Sequence, residues 1–393
     1  MPYRLLRIVP DLLALAAGLA SQIAVSLWFL RRLNPQKRWI RPLVLAISFL
    51  GAALMLTGVL GRFARFFPFF PSWWPNWGPA LAISWMLLLV PWMIILPLLE
   101  LAKRVWPAHN AGRRHFFKTA ETVAMIGPPV MVGYGVWIER EWLHVREQDI
   151  VIPNLSPDLD GLRIAQLTDI HMSPFLTRKM LDRAVAMARE TQPHIAVVTG
   201  DLVTRAGDPL DECLEALSKL RAEAGVFGCL GNHEIFARAE DYCEEAAARK
   251  GIRMLRAQAV PLKFGGGSLN LAGVDYQSPR RKVYLAGAEG LVAPNSCNVL
   301  LSHNPDVFLT AAQQGWDVTI SGHTHGGQIR VEILSADLNV ARFYTPFVDG
   351  YYREGNSSIF VSRGIGTIGI PARIGARPEV ALVRLRRANG SAS

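Results

Sequence analysis

Cysteine is scarce in this chain of 393 residues: there are four, Cys213, Cys229, Cys243 and Cys297, and none forms a CxxC pair. That spacing offers no paired-thiolate metal or redox motif. Buried thiols are the simple reading, and a disulfide stays open if this half of the chain lies outside the cytoplasm. Acidic residues are scarce at the other end. Residues 1–140 hold 4 Asp/Glu against 15 Lys/Arg, whereas the rest holds 28 against 27. The net charge of +10 therefore belongs to the first part alone. A near-neutral second half excludes the broad basic footprint of a nucleic-acid binder. Internal repeats and low-complexity tracts are missing as well.

Charge is almost absent from four apolar runs, 10–30, 42–61, 79–99 and 119–138. Each has the length of about 20 residues that a membrane-crossing helix needs. The first continues past any small-residue cleavage position near Ala20 to Leu30, too long for a signal-peptide core. Pro91, Pro97, Pro128 and Pro129 predict kinks, which membrane helices tolerate. Lys and Arg crowd the first loop (Arg31, Arg32, Lys37, Arg38, Arg41) and the third (Lys103, Arg104, Arg113, Arg114, Lys118). The N-terminus has only Arg4 and Arg7, and the second loop Arg62 and Arg65. Positive loops stay in the cytoplasm, so everything after residue 140 is expected outside it. Trp73, Trp74 and Trp77 suit an interfacial belt, on either face. Glu121 falls at a span end and no charge pair lies within the runs, which favours an anchor over a transporter.

After a polar connector over 141–160, strand-like and helix-like stretches alternate to residue 386. LRIAQLT precedes a helical pattern over 178–190, with Leu181, Ala184, Val185 and Ala188 on one face. HIAVVT, a helix over 209–222, GVFGCL and a helix over 237–250 follow. AVPLKF-GGG-SLNLAGV reads as a hairpin, then NVLLS, a helix over 306–313 and DVTIS resume the alternation. Short β segments fill 328–385, and residues 387–393 read as a disordered tail. The pattern predicts an α/β sandwich, two mixed sheets flanked by helices.

Five of the apolar runs end in residues that bind metals. RIAQLT leads to Asp169-Ile170-His171, HIAVVT to Gly200-Asp201, VFGCL to Gly231-Asn232-His233-Glu234, NVLLS to His303, and DVTIS to Gly322-His323-Thr324-His325. Buried strands deliver such residues to one sheet edge, where α/β proteins bind ligands. Taken singly, Asp169 reads as a cap and Asn232 as a turn residue. Five fragments in series do not read that way. Two carboxylates, an amide and four imidazoles exceed the needs of one hydrolytic ion and suit two. Oxygen and imidazole donors without thiolate favour Mn, Fe or Zn over copper.

The order D-x-H, G-D, G-N-H-E, H, G-H-T-H resembles the calcineurin-like metallophosphoesterases over roughly residues 160–385. GHTHGGQ and SRGIGTIGIPAR are similar to the bacterial membrane-associated branch. The resemblance implies that Asp169, His171 and His325 hold a first divalent ion and that Asn232, His303 and His323 hold a second. Asp201 would bridge them, and His233 would act as general acid or phosphate contact. It implies attack of a metal-bound hydroxide on phosphorus, with no Ser or Cys nucleophile. Arg363 is a candidate phosphate contact.

The aromatics Phe343, Tyr344, Phe347, Tyr351 and Tyr352 read either as ordinary β-rich packing or as an apolar wall for an acyl or prenyl chain. Phe343 and Phe347 are the candidates, with Phe175, Leu176, Ile235 and Phe236 beside them. The anchor confines the site to within a domain's width of the bilayer, so the expected substrate is a phosphoester of a membrane lipid, a lipid-linked sugar or an envelope polymer. A UDP-diacylglucosamine-type hydrolase is the alternative and suits a cytoplasmic domain better. A silent metal-binding membrane scaffold is the rival from another class.

Overall fold

The computed structural model describes residues 2–32, 39–61, 71, 74–107, 109–278, 283–333 and 336–388. Lys37, Arg38, Arg62, Arg65, Trp73 and residues 389–393 of the expected tail lie outside the described residues. The chain divides into two units, residues 1–137 with 369–372, and residues 138–368 with 373–393.

Among the described residues, the first unit contains four helices: α1 (Pro2–Arg32), α2 (Arg41–Gly61), α3 (Trp74–Val105) and α4 (Ala111–Trp137). Three of them are long and apolar enough to cross a membrane, over Asp11–Arg32, Arg41–Val59 and Trp77–Val105. On this measure three of the four expected spans qualify and α4 does not. The start of α4 carries Arg113, Arg114, Lys118 and Glu121, and Gly127, Pro128, Pro129, Gly133 and Gly135 dilute the remainder. Pro91 and Pro97 stay inside α3. Polar side chains tie the helices together, as they do where water cannot. Trp85 Nε1 donates to Gln22 Oε1 at 2.7 Å, and Ser26 and Ser48 hydroxyls meet at 2.6 Å. Trp92 Nε1 donates to Ala124 O at 2.9 Å, so α4 lies against α3. At one end Arg32 pairs with Glu100 and Glu121, and Lys103 with Glu121.

The second unit stacks two mixed six-stranded sheets, as the alternation predicts. The first runs β1 (His144–Ile152), β14 (Glu379–Arg387), β2 (Arg163–Leu167), β3 (Ile195–Thr199), β4 (Val226–Cys229), β5 (Ile252–Met254). The second runs β12 (Gly350–Glu354), β13 (Ser357–Val361), β9 (Val318–Ser321), β8 (Cys297–Leu301), β7 (Gly267–Gly273), β6 (Gln258–Phe264). β10 (Arg330–Ile333) and β11 (Ala336–Asn339) form a separate hairpin. The period of two along each strand decides the layers. Ile164, Ile195 and Val197 face Val299, Leu301 and Ile320 between the sheets. Their neighbours Ala165, Leu167, Ala196 and Val198 face the helices α5 (Arg178–Glu190) and α6 (Leu210–Leu217). α7 (Asn232–Ala237) and α8 (Glu240–Arg249) follow β4, and α9 (Phe308–Gln314) follows β8.

Part of the expected connector is β1, paired in parallel with β14 from His144–Glu379 to Ile152–Arg387. Its composition, HVREQDIVI, is that of a half-exposed edge, which reads as linker in sequence. All four cysteines are buried and unpaired. Phe347 is half-buried, its ring 5.4 Å from that of Phe308 and 5.3 Å from that of Tyr352, edge to face. Phe343, by contrast, is 87% exposed. Phe347→Ala should therefore cost roughly 2 kcal/mol of stability and Phe343→Ala less than about 0.5. Thermal midpoints of the two detergent-purified variants check this; equal losses would contradict the packing.

Candidate metal centre

The fold brings the ends of β2, β3, β4, β8 and β9 to one edge, and each delivers a side chain to the same point. Asp169, His171 and His325 present donor atoms within 4.8 Å of one another, as do His171, Asp201 and His233, and Asp201, His303 and His323. Asp201 thus belongs to two of the groups. His171 Nε2 lies 3.1 Å from His325 Nε2, and His303 Nε2 lies 3.2 Å from His323 Nδ1 and 3.0 Å from Asp201 Oδ2. His303 directs its other nitrogen to Thr199 O at 2.7 Å, so Nε2 is the nitrogen that faces the cluster.

This convergence strains the backbone. Asp169, His171, Asp201, His323 and His325 all have positive φ, from 47° to 78°. Asp and His enter that region more readily than most residues, yet each costs on the order of 1–3 kcal/mol. The surroundings hold them. Both carboxylate oxygens of Asp169 accept from His323 N at 3.0 Å, and Thr168 Oγ1 donates to Oδ2 at 2.9 Å. His233 N donates to Asp201 Oδ1 at 2.9 Å. The glycines of the motifs are needed for approach. A Cβ at Gly322 would lie 2.2 Å from Asp169 Oδ2, and one at Gly231 would lie 2.2 Å from Asp201 Oδ1.

Glu234 was legible as part of a motif, but its role was not. Its buried carboxylate accepts from Asp201 N (2.9 Å), Leu202 N (2.7 Å) and Gly231 N (2.8 Å), locking two donor loops together. Its position three residues after Gly231, where a capping-box acid sits, is the sequence signal that would have found it. His233 is buried, with Nδ1 2.6 Å from Thr204 O and its ring 4.7 Å from that of His171. Phe236 packs on His233 with ring centroids 5.3 Å apart, and Tyr276 lies 5.5 Å from the His323 ring. Arg363, the candidate phosphate contact, is held by Asp349, which accepts from Nη2 at 2.7 Å and Nε at 2.8 Å.

The donor set fits divalent ions. Asn232 Oδ1 is buried with no hydrogen-bond partner, an orphaned atom of the kind a cation satisfies. Burial pushes His171 down to about 3 and His323 down to about 4, and holds His325 well below the ordinary imidazole range with help from Arg373. Three imidazoles thus stay neutral and ready to ligate. Burial also opposes a charge on His303, but the neighbouring Asp201 carboxylate outweighs it and lifts the group to about 10. Asp201 itself, despite burial, is kept well below the carboxylate range by His303 and His171.

Residues 162–327 match the family described as calcineurin-like phosphoesterase. A zebrafish (Danio rerio) transmembrane protein with metallophosphoesterase domain is 30% identical over 279 residues, covering 68% of this chain and 62% of that relative. The chain therefore spans less than two thirds of that relative's length. The phosphodiesterase YaeI of Escherichia coli is 28% identical over 297 residues, 70% of this chain and 99% of the relative. The uncharacterized metallophosphoesterase YkuE of Bacillus subtilis is 26% identical over 262 residues, 65% and 90%.

The buried imidazoles set a pH dependence for the metal-free chain. His171, His323 and His325 bind protons only after unfolding, so stability falls as pH drops below about 6.5. His303 has the opposite sign: its contribution is complete below about pH 6.5 and is lost only as pH rises towards 10. It leaves the acid limb unchanged. The thermal midpoint of chelator-treated protein should fall from about pH 7 to about pH 5, and fall less with Mn²⁺ in excess. A flat profile would contradict buried neutral imidazoles.

Proposed function

We propose that this chain, a member of the calcineurin-like metallophosphoesterases, is a membrane-anchored phosphoesterase that uses two divalent ions. The observation that carries the reading is the sharing of Asp201 between the His171 and the His303–His323 groups. Asp169, His171 and His325 would hold one ion, Asn232, His303 and His323 the other, and Asp201 both. Bound there, Mn, Fe or Zn ions supply the charge to clamp a phosphate and to acidify water. His233 keeps Nδ1–H on the Thr204 carbonyl, so Nε2 is the nitrogen left to face the leaving oxygen, to which the imidazolium form would give its Nε2 proton.

The substrate class we infer is a phosphoester of a membrane lipid, a lipid-linked sugar or an envelope polymer. Three apolar helices and relatives named as transmembrane proteins support membrane association. Phe343 and Tyr344 are 87% and 83% exposed, and Phe236 is 67% exposed beside His233. Asn339, which opens the turn carrying Phe343, donates to Gly326 O in the His325 turn at 3.0 Å. Exposed aromatics on loops of the metal edge support an apolar substrate portion. Phe347 would support this wall from beneath.

With Mn²⁺ the purified chain should cleave an aryl phosphodiester. Asp201→Asn should abolish this, and His233→Ala should slow it about 10²–10⁴-fold. Phe343→Ala should slow turnover of a phosphatidyl substrate severalfold while sparing the aryl ester. A wild type as inert as Asp201→Asn would favour the scaffold reading.

We also propose an extracytoplasmic second unit. The packing of α4 against α3 through Trp92 and Ala124 supports a fourth crossing, which with basic first and third loops leads outside. The lower apolarity of α4 favours a second reading, in which it stays on the cytoplasmic face. The substrate would then be a cytoplasmic-leaflet lipid such as UDP-diacylglucosamine. A phosphatase reporter fused after residue 393 should be active; an inactive one, with an active cytoplasmic reporter at the same place, selects the second reading.

A further inference from the structure

Arg373 has an unusual place for a cation. It is fully buried and, among the described residues, makes no ion pair with a carboxylate. Burial draws its ionisation down to about 10, though Asp169 and Glu379 favour the charge. Every donor of the guanidinium is nevertheless used, on backbone carbonyls. Nε donates to Gly366 O at 3.0 Å and Nη1 to Ala376 O at 2.9 Å. Nη2 donates to Arg363 O at 2.8 Å, to Gly364 O at 3.3 Å and closely to Gly366 O. At 3.5 Å the fork also reaches His325, Nη1 at the carbonyl and Nη2 at Nδ1.

The segment so gripped lies directly on the Asp169–His171 loop. Ile365 N donates to Thr168 O at 3.1 Å and Gly366 N to Asp169 O at 2.7 Å. The contact is too close for a side chain: a Cβ at Gly364 would lie 2.5 Å from Asp169 Cβ. One planar fork therefore joins the turn of His325 to the strip that backs Asp169 and His171. Three residues of the other donor set have different supports, and His323 is tied to the first set through its N–H to Asp169. His303 rests on Thr199 O, and the loops of Asp201 and Asn232 are locked by Glu234.

We propose that Arg373 is a positioning residue for the first ion alone, clamping the residues that would hold it while leaving the second set to Glu234 and Thr199. Arginine suits this because its five N–H groups lie in one rigid plane, whereas a lysine ammonium presents three donors at a point. The positive charge itself works against a nearby dication, so the clamp acts through geometry.

Arg373→Lys isolates that geometry, because the charge is kept. Mn²⁺ affinity is measured on the full chain in detergent, in two backgrounds. In His323→Ala, where the first set stays whole, Arg373→Lys should weaken binding about 10- to 100-fold. In His325→Ala, where the second set stays whole, it should change binding by less than about threefold. Equal losses in both backgrounds, or none in either, overturn the proposal. Arg373→Gln repeats the comparison if the lysine chain does not fold. If neither folds, Arg373 supports the whole domain and the proposal falls. The inference rests on the two-ion reading, which a wild type unable to bind Mn²⁺ would remove. A wild type binding two ions, without a selective loss, removes only the role of Arg373.

Discussion

The structure depends on keeping carboxylates and imidazoles out of water without letting them neutralise one another into a dead end. Asp169, His171, Asp201 and His303 are all essentially buried, where an unpaired ion is costly. Asp201 relieves part of that cost by drawing the charge of His303, and His171, His323 and His325 stay neutral. A donor cluster of this kind is stable only when its backbone is held from several sides. That requirement explains why so many of the surrounding hydrogen bonds involve main-chain groups. It also explains why five of its members tolerate a left-handed backbone.

Two different clamps answer the requirement. Glu234 is an acceptor that collects three N–H groups, and Arg373 is a donor that collects carbonyls. Each is a buried charge satisfied by peptide dipoles, and each fixes loops that strands alone would leave free. Asp201 belongs to the loops that Glu234 locks, and Asp169 to the strip that Arg373 grips. The exposed ring of Phe343 stands apart from these clamps, whereas that of Phe236 packs on His233.

Much of this was legible in the sequence because the motifs follow strands with an unbroken apolar character. The helix at 178–190 was legible too, since Leu181, Ala184, Val185 and Ala188 keep helical spacing and Thr177 caps the first turn. Other parts were hidden for physical reasons. The helix expected over 237–250 is α8, whereas α7, which Arg238 separates from it with a left-handed φ of 56°, was hidden inside the metal motif. The composition of β1 is that of a solvated edge, which gives no apolar alternation to read. Arg373 looks like any surface arginine until its burial is known, and Phe347 looks like Phe343. The fourth apolar run is less apolar than its length suggests, because glycines, prolines and early charges dilute it.

The pairing of β1 with β14 has a consequence for biosynthesis. Asp149 and Arg384 meet at 2.6 Å across 235 residues of sequence. On the ribosome β1 emerges soon after the apolar helices, and its neighbour arrives only when nearly the whole second unit has been made. Contacts of such sequence separation close late and slowly. Until β14 is made, β1 and β2 lack the strand that joins them, and the first sheet stays open at that edge.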